Sequence, residues 1–248
     1  MVKIIAVSGK GGVGKTLLSA LLVRAIKESG KGSLLAIDAD PDSNLAESLN
    51  VKFEKTVGDI REDLLSEKLP PGVEKEKHLS SKVFEITVEE DGFDLIVMGR
   101  PEGPGCYCAI NHLLRNIIDE TTQAYDYCII DAEAGLEHMS RRTTQNVNTM
   151  LIVTDPSKKG FLTARRIKDL AKELGIEFDS MFLVLNRVKS GNRELMLKEA
   201  KEVGIDVIGL IPEDTLVAEY DLEGKPLINL PADSEAYNSV SSFAGGLT

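Results

Sequence analysis

The chain predicts an α/β fold, a single domain with a mostly parallel central sheet and helices on both faces. Three observations carry this expectation. Short apolar runs recur along the chain with helical patterns between them. The runs are mostly continuous rather than alternating, as expected of strands buried on both faces. A glycine-rich loop, Ser8-Gly9-Lys10-Gly11-Gly12-Val13-Gly14-Lys15-Thr16, joins the first run to the first helical pattern. Strand–helix alternation implies right-handed crossovers and a sheet covered on both sides. With 248 residues, 42% of them apolar, the chain can build one such domain around a substantial core.

Taken in order, Ile4–Val7 is the first predicted strand and Thr16–Glu28 the first helix, its apolar pattern running from Leu17 to Ala25. Ser33–Ile37 is the second strand and leads into Asp38-Ala39-Asp40-Pro41-Asp42-Ser43-Asn44. Residues 51–90 are the least regular part. With Pro70-Pro71-Gly72 and the charged run Glu74–Lys77, they read as an insertion holding a short helix and an edge hairpin. Strand Leu95–Met98, helix Ala109–Asp119 and strands Cys128–Ile130 and Thr149–Val153 follow. Helix Gly160–Leu174, strand Phe182–Leu185, helix Arg193–Val203 and strand Val207–Ile211 complete the alternation. No repeat or long low-complexity linker interrupts it, so residues 1–248 are expected to form one domain. The stretch Asn238–Thr248 reads as a small, polar tail.

Lys and Arg number 29 against 40 Asp and Glu, a formal charge of −11. This argues against a nucleic-acid partner, which requires a basic face for the phosphates. The short basic pairs Arg141-Arg142 and Lys158-Lys159 read as solvated surface. No stretch approaches the roughly 20 apolar residues of a membrane span. The first strand begins at the N-terminus without a signal-peptide pattern, so a soluble, cytoplasmic protein without a membrane partner is expected. Three cysteines, Cys106, Cys108 and Cys128, make no disulfide framework. Cys128, inside an apolar run, reads as a small buried hydrophobe.

In sheets of this kind ligands bind beyond the carboxyl ends of the strands. The loop after the first strand carries the complete phosphate-binding pattern GxxxxGKT in its strand–loop–helix context. Gly11, Gly12, Val13 and Gly14 would turn backbone N–H groups onto phosphate oxygens, and the helix starting near Lys15 adds its positive end. Lys15 can reach the β- and γ-phosphates, and the Thr16 hydroxyl can ligate Mg²⁺. After the second strand, one of Asp38 and Asp40 can hold Mg²⁺ through water while the other orients the attacking water. Asp42 or Ser43 is expected to cap a helix. Asp131 ends an apolar strand in the arrangement of a magnesium-side carboxylate. Glu133 and Gly135 follow it as a nucleotide switch, Gly135 near the γ-phosphate. Glu137 and His138 stand where that movement would be relayed, although His138 also reads as an ordinary surface or capping histidine.

Lys10 is the discriminating residue. The pattern Lys-Gly-Gly-x-Gly-Lys-Thr resembles the deviant Walker-A loop of a P-loop NTPase family that includes cell-division and plasmid-partition ATPases, the arsenite-pump ATPase and the nitrogenase iron protein. This resemblance covers almost the whole chain outside residues 51–90. It implies two subunits facing each other across ATP, with Lys10 crossing to the partner's phosphates as an arginine finger does elsewhere. It also implies a catalytic set of Lys10, Lys15 and Asp40, with Asp40 orienting water and Asp38 and Asp131 on the Mg²⁺ side. Asn186 would read the adenine, and Pro212 and Glu213 of Ile211-Pro212-Glu213-Asp214 would form the other wall of the base pocket.

Two further segments, Gly103-Pro104-Gly105-Cys106-Tyr107-Cys108 and Asp131-Ala132-Glu133-Ala134-Gly135-Leu136-Glu137-His138, resemble the nickel-insertion ATPases of the CooC type. Those accessory proteins mature carbon monoxide dehydrogenase or acetyl-CoA synthase. Cys106 and Cys108 follow a glycine–proline turn and precede a helical pattern, so in a loop or first turn both thiols can point at one atom. The positive helix end favours thiolates. Two thiolates make half of a tetrahedral site for a soft divalent ion, and a twofold axis would supply the other half. Four thiolates suit Zn²⁺, and also Ni²⁺. A pair of cysteines without a ligand role is the alternative, and His112 reads as a helix-surface histidine more readily than as a further ligand.

The expectation is therefore an ATP-hydrolysing, metal-linked homodimer that delivers nickel to a client enzyme. An electron-transfer ATPase bearing an iron–sulfur cluster is the first alternative. Residues 132–137 contain no cysteine, which counts against it. A spatial-regulation ATPase acting on membrane or DNA is the second alternative, and the acidic charge counts against that.

Overall fold

A computed structural model describes residues 2–66, 75–99, 121–132, 147–176 and 178–247. Strand β1 (Lys3–Gly9) runs through the middle of an eight-stranded sheet. Helix α1 (Lys15–Ser29) and strand β2 (Leu34–Ala39) follow, then the short helix α2 (Asn44–Ser48). Helices α3 (Val57–Ser66) and α4 (Lys75–Ile86) precede strands β3 (Val88–Glu90) and β4 (Phe93–Val97). Strands β5 (Tyr127–Ala132) and β6 (Thr149–Thr154), helix α5 (Lys158–Leu174), strand β7 (Ser180–Val188), helix α6 (Arg193–Val203) and strand β8 (Asp206–Pro212) continue the alternation. Helices α7 (Thr215–Glu223) and α8 (Glu235–Ala244) close it.

The strand order is β3-β4-β2-β5-β1-β6-β7-β8. Every pairing is parallel except β3 with β4. The parallel core forms because β1, β2, β5 and β6 are apolar along nearly their whole length and lie between two helical layers. Successive residues feed opposite faces. Ile4 and Ala6 pack with β2, α5 and α6 side chains such as Ile37, Phe161, Ile167 and Met196. Ile5 and Val7 pack with Leu18, Leu21 and Leu22 of α1 and with Val240 and Phe243 of α8.

The predicted strands and the helices in the described regions are present with boundaries shifted by a few residues. Helix 109–119 lies outside the described residues. The expected edge hairpin in 51–90 is present, because Asp91-Gly92, with Gly92 at φ 79, turns β3 antiparallel onto β4. That region carries two helices where one was expected. The expected polar tail is corrected. Ser234 caps α8 by accepting the Tyr237 N–H, and Ala236, Tyr237, Val240, Phe243 and Ala244 are buried along one face. Ser241 and Ser242 are exposed while Ser239 donates its hydroxyl to the Leu210 carbonyl of β8 at 2.7 Å, and together the serines mask an ordinary amphipathic pattern. Phe243 packs so closely over Gly209 of β8 that a Cβ there would lie 2.3 Å from its ring. Cys128 is fully buried, as expected of a small hydrophobe. Among the described residues no helix is long and apolar enough to cross a membrane.

Candidate functional site

The site grows from the carboxyl end of β1, which lies between β5 and β6. The chain leaves the strand at Gly9 and re-enters regular structure at Lys15, with Gly14 capping α1 in the left-handed region at φ 98. A side chain would be strained there, and a Cβ would come within 2.2 Å of Asn186 Nδ2. Lys15 opens the helix and is only 8% exposed, an unusual burial for a lysine that signals a demand for negative charge beside it. Lys10 begins the loop, half-buried, with its carbonyl accepting the Val13 N–H.

Asp131 ends β5 in register with Val7 of β1 and Asp38 of β2, which sets the two carboxylates side by side under the loop. Asp131 Oδ2 accepts the Thr16 hydroxyl at 2.8 Å and Oδ1 accepts the Ser19 hydroxyl at 3.0 Å. Burial pushes its carboxyl up to about 6, against the opposing pull of Thr16, Ser19 and the Lys15 charge. Asp38 is fully buried; its burial, followed by the Asp131 charge, pushes it up to about 7. Asp38 Oδ2 accepts the Leu45 and Ala46 N–H groups at 2.9 and 3.2 Å, and Oδ1 accepts the Asp40 N–H at 3.3 Å. Asp38 therefore does the helix-capping expected of Ser43, whose side chain makes no cap bond to α2. Asp40 Oδ1 in turn accepts the Asp42 N–H at 3.0 Å, closing the turn after β2.

These residues fit a hard cation. Two buried carboxylates, each pushed toward protonation, form a region of negative potential that Mg²⁺ would relieve, and Thr16 and Asp131 offer the oxygen atoms it favours. Asp38 already accepts three backbone N–H groups and adds its charge beside Asp131. Among the described residues no group of three or more His, Cys, Asp or Glu side chains is arranged to hold a metal ion. Phosphate oxygens and water would have to complete the shell, as is usual for Mg²⁺.

A cavity of about 700 Å³ brings many of the predicted residues together. Gly11, Gly12, Gly14, Lys15, Thr16 and Asp40 line it on the loop side, with Asn186 against Gly14, and Arg187, Pro212 and Glu213 line it from the ends of β7 and β8. Lys10, Val13, Asp38 and Asp131 are not among its lining residues. Asn186 is 3% exposed; its Nδ2 donates to the Val13 carbonyl at 2.7 Å and its Oδ1 accepts the Arg187 N–H at 2.8 Å. At the β8 end Glu213 pairs with Lys189 at 2.6 Å. Asp214 caps α7 through the Leu216 N–H at 2.9 Å. Its second oxygen takes the Ser234 hydroxyl at 2.7 Å and the Ala236 N–H at 3.0 Å, tying α7 to α8. These bonds hold its carboxyl below the usual range against the opposing effect of burial. Val217, Tyr220 and Leu227 give the cavity an apolar flank.

Sequence reasoning missed Ser19 and that flank, and it named Asp214 only within the Ile211–Asp214 turn, not as the residue that ties α7 to α8. Ser19 was visible as a polar residue inside the apolar stripe of α1, where burial requires a partner. Cys106, Cys108, His112, Glu133, Gly135, Glu137 and His138 lie outside the described residues.

Residues 4–227 match the family model of the CobQ/CobB/MinD/ParA nucleotide binding domain. An uncharacterized ATP-binding protein of Methanocaldococcus jannaschii is 53% identical over 245 residues, covering 97% of this chain and 96% of the relative. The carbon monoxide dehydrogenase accessory protein CooC of Rhodospirillum rubrum is 32% identical over 243 residues, covering 89% and 87%. Among solved structures, the MinD cell division protein of Aquifex aeolicus superposes with a TM-score of 0.74 at 22% identity, over 99% of this chain and 96% of that one. MinD of Pyrococcus horikoshii, complexed with Mg-ADP, superposes with a TM-score of 0.75 at 23% identity, over 100% and 96%. At that identity the superpositions speak for the fold, while the family match spans the loop, both aspartates and the β7 and β8 ends that line the cavity. The chain belongs to the CobQ/CobB/MinD/ParA family of P-loop nucleotide-binding proteins.

Proposed function

We propose that this protein hydrolyses ATP as a face-to-face homodimer and uses that cycle to deliver nickel to carbon monoxide dehydrogenase or acetyl-CoA synthase. The observation that carries the ATPase part is that one cavity is lined both by Gly11, Gly12, Gly14, Lys15, Thr16 and Asp40 and by Asn186, Pro212 and Glu213. The loop with Lys15, and Val217, Tyr220 and Leu227 in the same lining, suit the phosphates and the base of a nucleoside triphosphate.

In this reading the loop's N–H groups and the α1 terminus hold the β- and γ-phosphates, and Lys15 neutralises charge on them. Asp40, at the cavity wall beyond the loop, orients the water whose oxygen attacks the γ-phosphorus. The bond to the β–γ bridging oxygen breaks, leaving ADP and phosphate. Lys10 acts on the partner subunit's nucleotide, which fits its place outside the cavity lining. Mg²⁺, held by Thr16 and Asp131 with Asp38 behind them, would supply positive charge to the phosphate oxygens.

The nickel part rests on the Cys106-x-Cys108 pair and on the similarity to the CooC accessory protein. The pair from each subunit would close one four-thiolate site for Ni²⁺ or Zn²⁺ on the dimer axis. ATP and the bridging ion would then favour the same closed state, so each should tighten binding of the other. Metal content read together with molecular mass, in ADP and in a non-hydrolysable ATP analogue, tests this. A dimer holding about one soft metal ion is expected with the analogue. Replacing both cysteines by alanine should abolish the metal and leave nucleotide binding intact; unchanged metal stoichiometry would refute the site.

A further inference from the structure

Asn186 was expected to read the base, yet the structure commits its amide to the phosphate loop. Three observations meet at this residue. Strand β7 slips register against β8 between Leu185 and Val188, which takes Asn186 and Arg187 out of the regular ladder. Arg187 lies in the left-handed region at φ 56, a conformation uncommon outside glycine and asparagine. Irregularities of this kind re-aim a side chain at a functional site. Here the side chain is aimed at the loop. Nδ2 donates to the Val13 carbonyl at 2.7 Å, Oδ1 takes the Arg187 N–H at 2.8 Å, and the residue is 3% exposed.

The consequence follows from peptide geometry. The Val13–Gly14 peptide is trans, so its C=O and N–H point in opposite directions. Anchoring the Val13 carbonyl on Asn186 aims the Gly14 N–H away from Asn186, into the loop. A flip of this peptide would present a carbonyl oxygen to the phosphates in place of an N–H. Gly14 is able to flip because it has no side chain, and its φ of 98 already lies where glycine alone is at ease. Something outside the loop must therefore hold it, and Asn186 is in contact with it, since a Cβ on Gly14 would lie 2.2 Å from Nδ2.

We propose that Asn186 is a positioning residue for the phosphate cradle: it locks the Val13–Gly14 peptide in its phosphate-binding orientation, so that it governs affinity for the phosphate chain independently of any base. This rests on the nucleotide reading of the cavity. The test compares Mg-ATP with base-free inorganic tripolyphosphate and Mg²⁺ by calorimetry, on the wild type and on Asn186→Leu. Leucine matches the shape of asparagine, adds no charge, and leaves the Val13 carbonyl without its donor.

The variant should lose about tenfold or more in affinity for both ligands, by a similar factor. Loss for Mg-ATP with unchanged tripolyphosphate affinity would make Asn186 a reader of the base alone and overturn the inference. Failure of the wild type to bind either ligand would instead overturn the nucleotide reading. A structural defect is separated by the wild type's own spectrum, which also serves if the variant does not fold. In ¹⁵N-labelled, ligand-free protein one Asn186 side-chain amide proton should exchange with solvent at least tenfold more slowly than a free amide. Exchange at the free rate would refute the anchor.

Discussion

The two ends of the cavity are built on different plans. At the phosphate end, consecutive residues do the work: Gly11 to Thr16 turn over the tip of β1, and the carboxylates that face them end the neighbouring strands β2 and β5. At the base end the groups come from places far apart in sequence. Arg187 leaves β7 at a break in its ladder, Pro212 and Glu213 end β8, and Val217, Tyr220 and Leu227 come from α7 and the turn beyond it. One end concentrates buried polarity on consecutive residues and two neighbouring strand ends, while the other mixes the apolar Val217, Tyr220 and Leu227 with Arg187, Glu213, Asp221 and Lys225 over several elements. Phosphate binding should therefore fail sharply on single substitutions and base binding should fail gradually.

The largest effect should come from the lysines, and it separates them. Lys15→Ala removes a buried cation beside Asp131 and should lower both nucleotide affinity and phosphate release, the latter about 100-fold or more. Lys10→Ala should lower phosphate release by a similar factor while leaving monomer affinity for ATP close to wild type. Calorimetry with a non-hydrolysable analogue and a phosphate-release assay distinguish the two. If Lys10→Ala loses ATP affinity in the monomer as Lys15→Ala does, Lys10 acts on its own subunit's nucleotide and the face-to-face reading fails.

How much of this contrast was legible beforehand follows from the same difference. The phosphate end could be read because its chemistry depends on fixed local spacing: the loop, Asp38, Asp40 and Asp131 were named from strand ends alone. What could not be read was that Asp38 caps a helix. Asp38 caps α2 from seven and eight residues upstream, a relation that only the turn through Ser43, at φ 54, brings about. The base end was legible only through resemblance, because Asp214 acts by joining α7 to Ser234 and Ala236 twenty residues on. Helix α8 was hidden for a different reason. Its exposed face, Glu235, Asn238, Ser241 and Ser242, carries a single charge, so the segment reads as a tail until Val240 and Phe243 are seen buried together.

The buried carboxylates sharpen the comparison through pH. In the nucleotide- and magnesium-free protein Asp38 and Asp131 are pushed from 3.8 to about 7 and about 6, so the folded state holds their protons more tightly than the unfolded one. Stability from these groups is therefore greatest below about pH 4 and falls as pH rises through 6 to 7, by on the order of a few kcal/mol. Urea unfolding of ligand-free protein should show a midpoint that declines between pH 5 and pH 8. Mg-ATP should remove most of that decline, because the cation compensates the ionised pair. Asp214 has a lowered carboxyl and works in the opposite sense, losing stability as pH falls below the usual carboxylate range, so it does not contribute to this window. A midpoint flat from pH 5 to pH 8 without ligand would mean that the pair is better solvated than its burial indicates.

The smallest effect belongs to the base end, and its smallness is what the comparison requires. Tyr220 lines the cavity, donates its hydroxyl to the Asn229 carbonyl at 3.1 Å and lies 5.5 Å from the Lys225 ammonium. Its ring offers a flat apolar face, but Val217 and Leu227 share the same wall. Tyr220→Leu should therefore cost about 1 kcal/mol, or roughly fivefold, in ATP affinity. Tripolyphosphate affinity should not change, because the ring does not touch the loop. Tyr220→Phe, which removes only the bond to Asn229, should cost less than Tyr220→Leu. If Tyr220→Leu instead abolished ATP binding, the base end would be as concentrated as the phosphate end, with one aromatic ring holding what three residues are assigned here. If it weakened tripolyphosphate as well, the two ends would be mechanically joined through β8 and α7 in addition to the Asn186 anchor.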